Sequence, residues 1–125
     1  MMRMIAMIYL TVAAAALNAA DTETISYKDL LSRNNANIAQ LGMGMTRDQV
    51  VALMKSYSSE VRNGPLSNPY KAESFQRGAD NYEVLYYLTH SHPPFTPIRD
   101  SQATPVVLKN GAVVGWGQSA LHGLK

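Results

Sequence analysis

Cysteine is absent from the 125-residue chain. A domain this small often relies on disulfides when it is secreted, so its stability must come from an apolar core and backbone hydrogen bonds. Without a cysteine there is also no site for an N-terminal lipid, and the chain is expected to lack a lipid anchor. Like charges form no block. From Asp21 onward 10 Lys and Arg stand against 9 Asp and Glu, a net of +1. A surface that tracks nucleic-acid phosphates needs clustered Lys and Arg, so nucleic acid is excluded as the expected partner. Long apolar runs are missing as well. The longest, before Asn18, has about 14 residues, short of the roughly 20 that span a bilayer. Recognisable catalytic patterns are lacking too. Glu73, Asp80 and Glu83 are too scattered for a carboxylate pair, Ser91 has no nucleophile-elbow glycines around it, and Gly42-Met43-Gly44 lacks the strand and lysine of a phosphate loop. No enzyme activity and no cofactor are expected.

What is present first is a leader. Residues 1–20 read MMRMIAMIYLTVAAAALNAA, with Arg3 ahead of an uncharged apolar stretch and small residues crowding Ala13–Ala20. That order is a secretory signal, with cleavage expected after Ala19 or Ala20 and Ala16 as the alternative cut. The mature form is expected to carry no transmembrane span. Residues 21–125 then fit one domain by length, and at 46% apolar and 16% charged the chain has the composition of a folded protein.

Asp21–Ile25 reads as a polar, flexible lead-in. Ser26 followed by Asp29 reads as a helix N-cap, and Tyr27, Leu30, Leu31, Ile38 and Leu41 fall near one helical face. Asn34, Asn35 and Asn37 lower its propensity, and the glycines at 42 and 44 end it. Thr46-Arg47-Asp48-Gln49 is a capping box, followed by a stripe of Val50, Leu53, Met54 and Tyr57 at i, i+3, i+4, i+7. Met43, Met45 and Met54 read as core filling. Ser58–Pro69 reads as a loop from its Gly-Pro and Asn-Pro pairs. Tyr70–Phe75 has the pattern of an edge strand, and Tyr82–Thr89 that of a strand rich in aromatic and β-branched residues. A Pro-rich excursion covers His90–Asp100. Thr104–Lys109 and Ala112–Trp116 flank Asn110-Gly111, a two-residue hairpin turn. The expected architecture is α+β, with two N-terminal helices packed on a three- to four-stranded antiparallel sheet.

Several of these stretches resemble a known family. Leu41-Gly42-Met43-Gly44-Met45-Thr46, leading into a helix with Val50 and Met54, resembles the signature of the BamE-like (SmpA/OmlA) envelope family. The stretches at 68–70 (NPY), 82–89 (YEVLYYLT), 104–107 (TPVV) and 110–117 (NGAVVGWG) look still more like an uncharacterised, non-enzymatic subgroup of it. The resemblance covers about residues 33–117. It implies an α-α-β-β-β fold, an address in the periplasm or on the periplasmic face of the outer membrane, and an envelope protein as partner. In BamE itself it implies an accessory role in outer-membrane protein assembly. The family's lipid-bearing cysteine is missing here. Lys55-Ser56-Tyr57 also replaces the usual Gly-x-Pro, which predicts a longer second helix.

Two places could carry function. The alternative to an interaction module is a small metal-binding protein or hydrolase using the His90–His92 loop, but no third ligand stands at a recognisable spacing and no metal is expected. The other place is the hairpin. Pairing across Asn110-Gly111 sets Lys109 against Ala112, Leu108 against Val113, Val107 against Val114, Val106 against Gly115 and Pro105 against Trp116. Alternation puts Val106, Leu108 and Val113 on one face and Val107, Lys109, Val114 and Trp116 on the other. If the helices cover the first face, Val107, Val114 and Trp116 form a partner-binding patch. The other reading is that the tail Gln118–Lys125 folds back over Trp116.

Overall fold

The computed structural model describes residues 22–61, 64–93 and 96–124. The leader at 1–20 lies outside them. Helix α1 (Tyr27–Ile38) starts where Ser26 accepts from the Asp29 amide at 3.1 Å. Helix α2 (Arg47–Met54) starts on the full capping box. Thr46 Oγ1 accepts from the Gln49 amide at 3.2 Å, and Gln49 Oε1 accepts from the Thr46 amide at 2.9 Å. Two of the first-turn amides that a helix leaves without intrahelical partners are thereby satisfied.

The second helix stops earlier than its sequence suggests. Lys55 sits at φ 66, ψ 155, a conformation close to glycine-only, and the chain turns there into a strand. Tyr57, expected on the helix stripe, is instead buried at the start of β2 (Tyr57–Val61). The expected loop 58–69 holds two strands, β2 and β3 (Gly64–Ser67), paired antiparallel. The supposedly flexible lead-in supplies β1 (Glu23–Thr24), parallel to β2. Two-residue strands and a Gly-Pro start leave little periodic signal, so this three-stranded mixed sheet was hidden.

The larger sheet is antiparallel, in the order β4 (Lys71–Arg77), β5 (Asp80–Leu88), β6 (Ala103–Lys109), β7 (Ala112–Trp116). Asn110 and Gly111 both have positive φ, 51° and 85°, as a two-residue hairpin turn demands. The tail is a short helix, α3 (Gln118–Leu124). The architecture is α+β, with three helices, a three-stranded mixed sheet and a four-stranded antiparallel sheet among the described residues.

The larger sheet buries both faces. On one, Leu85, Tyr87, Val106, Leu108 and Val113 meet Val50 and Met54 of α2 and Leu41 before it. On the other, Val84, Tyr86, Leu88, Ala103 and Val107 meet Leu121 of α3, with Tyr27 and Leu31 of α1 at the margin. A β-carbon placed on Gly115 would come within 3.1 Å of the Ala120 side chain, so glycine is what lets α3 lie close to β7.

Candidate functional site

The hairpin face reads differently in three dimensions because the register slips. Val106 pairs with Trp116 and Val107 with Gly115, while Leu108 pairs with Val113. Val114 is the extra residue of a β-bulge between those pairs, and a bulge switches which face the following residue takes. The three expected patch residues therefore separate. Val107 is buried under α3, which corrects its expected exposure. Trp116 packs part-buried against the core on the α2 side. The tail covers Val107 rather than Trp116. Val114 alone of the three is an exposed large apolar residue, at 41%.

Among the described residues the other exposed large apolar side chain is Met43, at 69%. The segments bearing these two lie side by side. The Gly44 amide donates to the Val113 carbonyl at 2.8 Å, and the Val113 amide donates to the Met45 carbonyl at 2.8 Å. Thr46 bridges to Ala112, and the Arg47 amide reaches the Gly111 carbonyl at 3.2 Å. The loop before α2 is thus stitched to the outer edge of β7. Met43 and Val114 are presented at one sheet edge, with Trp116 two residues further along. Sequence reasoning placed Met43 in the core, because methionine beside a glycine turn gives no cue to its direction.

The histidine loop holds its rings by separate neighbours. His90 Nδ1 lies 3.0 Å from Thr89 Oγ1, and His92 Nδ1 lies 2.8 Å from the Tyr27 hydroxyl, with the two rings of that second pair edge-on at 5.5 Å. His122 stands on α3. Among the described residues no three His, Cys, Asp or Glu side chains gather as a metal site would require.

A polar cluster that the sequence did not reveal joins β4 and β5 to the 3-10 turn Asp100–Gln102. The Tyr70 hydroxyl donates to Asp100 Oδ1 at 2.5 Å, and Lys71 Nζ donates to both Asp100 oxygens at 3.0 and 2.8 Å. Tyr86 donates to Glu73 Oε1 at 2.7 Å, and Lys71 Nζ lies 4.7 Å from the Tyr86 ring centre. Burial, followed by the hydrogen bonds to carboxylates, pushes the Tyr70 and Tyr86 phenols well above their ordinary range. Both phenols stay protonated at neutral pH and act as donors. The cluster pairs one ammonium with two carboxylates and ties the turn to the sheet. On the other face Arg47 Nε donates to Glu83 at 2.8 Å, fixing the start of α2 over β5.

Comparison with known proteins gives a family. The model described as "Protein of unknown function (DUF3192)" matches residues 11–123. The match gives no support to the SmpA/OmlA family that the motifs resemble. Neither a curated protein nor a solved structure matches the chain. Among the described residues no helix is long and apolar enough to cross a membrane.

Proposed function

We propose that the chain, which belongs to the DUF3192 family, acts as an exported, non-enzymatic interaction module of the bacterial envelope. Its partner is an envelope protein, bound at the β7 edge through Met43, Val114 and the accessible part of Trp116. The observation that carries this reading is the juxtaposition of Met43 and Val114. They are the two exposed large apolar side chains of the described residues, on segments hydrogen-bonded to one another. Apolar side chains grouped on a fixed backbone suit a contact surface, because little conformational entropy is lost when they dock.

Two further features support the address and the role. The leader at 1–20 has the order of a secretory signal. The Leu41–Thr46 entry to α2 and the 104–117 hairpin resemble the BamE-like family, which points to the periplasm or the periplasmic face of the outer membrane and to a part in outer-membrane protein assembly. Met43→Asp and Val114→Asp test the reading. Each should lower capture of the envelope partner by about tenfold, roughly 1.4 kcal/mol, while the melting temperature holds. Undiminished capture by both variants would remove this edge from the binding surface.

A further inference from the structure

The two edges of the larger sheet are treated differently. The β7 edge carries the loop at 44–47, whereas β4 pairs with β5 and no strand lies along its other side among the described residues. Natural proteins blunt such an edge with proline, a bulge, a very short strand, a covering helix or loop, or charged side chains. β4 has seven residues, Lys71-Ala72-Glu73-Ser74-Phe75-Gln76-Arg77, in unbroken register with β5 from Lys71–Tyr86 to Arg77–Asp80. It contains no proline and no bulge, and its charges, Lys71, Glu73 and Arg77, all stand on one face, so the register of an added strand decides whether they repel or attract.

Charge and shape along β4 select its occupant. A second copy that pairs antiparallel extends the sheet about a two-fold axis perpendicular to it. Such an axis keeps each face on its own side, so it must lie midway between the two copies of one residue. Centred on Ser74, it sets Lys71 against Arg77, a like-charge pair. Centred on Glu73, it sets that carboxylate against its own copy. Centred on Ala72, it sets Lys71 against Glu73, a pair that already exists within one copy, and leaves Arg77 outside the pairing. Centred on Phe75, it sets Glu73 against Arg77 twice, Ser74 against Gln76 twice, and Phe75 against Phe75. Opposite charges directly across a strand pair are favourable and like charges are not. Arg77 forms no ion pair among the described residues and is exposed.

The surroundings of Phe75 fit the same centre. Its ring stacks on Tyr82 at 5.4 Å and 13°, a half-buried pair at the rim of the sheet. Two open hollows flank β4 there, of about 580 and 490 Å³, and both are lined by Ser74, Phe75 and Gln76. They leave space on either side of Phe75 for the side chains of an added strand.

We propose that two copies of this chain pair antiparallel through β4, centred on Phe75, to form a continuous eight-stranded sheet. The inference is independent of the β7-edge reading, since the two surfaces lie on opposite edges.

Sedimentation equilibrium of the purified chain tests it, using charge reversal. The wild type should show a concentration-dependent dimer. Arg77→Glu and Glu73→Arg should each be monomeric, because each sets like charges across the axis. An equimolar mixture of the two should dimerise again, because each copy then meets the opposite charge. Should Glu73→Arg fail to fold, Phe75→Cys gives a second readout. In this cysteine-free chain it should form a disulfide dimer under mild oxidation, and Arg77→Glu added to it should slow that reaction at least tenfold. A wild type that stays monomeric up to millimolar concentration overturns the proposal. So does a dimer indifferent to Arg77→Glu, which would pair through another surface. A monomer whose β4 amides gain exchange protection only with envelope extract would assign the edge to a foreign segment and also overturn it.

Discussion

The side-chain amides of Asn34 and Asn68 face each other inside the protein. Each donates to the other's oxygen, at 3.0 and 3.1 Å. Asn34 also donates to the Leu88 carbonyl at 2.8 Å, and Asn68 to those of Met54 and Lys55 at 3.1 and 2.9 Å. One buried pair thereby joins α1, the end of α2, the turn before β4 and the end of β5. It also provides donors for carbonyls that the end of α2 leaves without intrahelical partners.

Asn34→Leu should therefore destabilise the fold despite adding an apolar residue to a buried site. It leaves the Leu88 carbonyl and Asn68 Oδ1 without the donor they share, each costing about 1–3 kcal/mol. A loss of at least about 2 kcal/mol in chemical denaturation is expected. A neutral result would mean that water replaces the amide.

Lys55→Gly should do the opposite. Lys55 is held at φ 66, ψ 155, where a side chain costs on the order of 1–3 kcal/mol and glycine costs little. A gain of about 1 kcal/mol is expected for glycine and none for Lys55→Ala. Equal effects of the two would place Lys55 in an ordinary conformation.

The reading of Lys55 shows what the sequence could and could not convey. Capping at Ser26 and Thr46, the Asn-Gly hairpin and the β5 strand were legible because each is a local rule with a local signature. The end of α2 was not, since Lys-Ser-Tyr contains no helix breaker and the strain there is borne by Asn68, 13 residues away. Nor could alternation show the bulge at Val114, because one extra residue reverses every later assignment. Asn34 looked like a weak helix residue and proved to be a core donor. Two of the three expected patch residues lie elsewhere, Trp116 because of that bulge and Val107 because of the tail. Burial of Val107 depends on a seven-residue tail helix whose pattern is too short to recognise.

Trp116→Ala should cost about 2–4 kcal/mol, near the range for deleting a core aromatic, because the ring packs part-buried on the α2-side core. Val114→Ala should stay within about 0.5 kcal/mol of wild type, as for other surface positions. Thermal melts of the two, compared side by side, check the observed bulge. Similar losses would restore the unbulged register.

High pH should destabilise the protein, with Tyr87 contributing alongside Tyr70 and Tyr86. Burial pushes the Tyr87 phenol above the ordinary value of 10.0, so the folded state disfavours the phenolate that the unfolded chain forms freely. A raised folded pKa means that this contribution is fully present below pH 10 and declines as pH rises from there toward the folded value. Tyr87→Phe should flatten the fall in stability above pH 10. An unchanged alkaline limb would exclude Tyr87 as a contributor.

The claim that the β7 edge meets an envelope partner is tested most directly by site-specific photo-crosslinking in cells. A photoreactive residue replaces Val114 in one strain and the exposed Lys28 of α1 in another. The account predicts one discrete adduct from position 114, in the periplasmic or outer-membrane fraction, that position 28 does not give and that Met43→Asp abolishes. No adduct from position 114, with a discrete adduct from position 28, would contradict it.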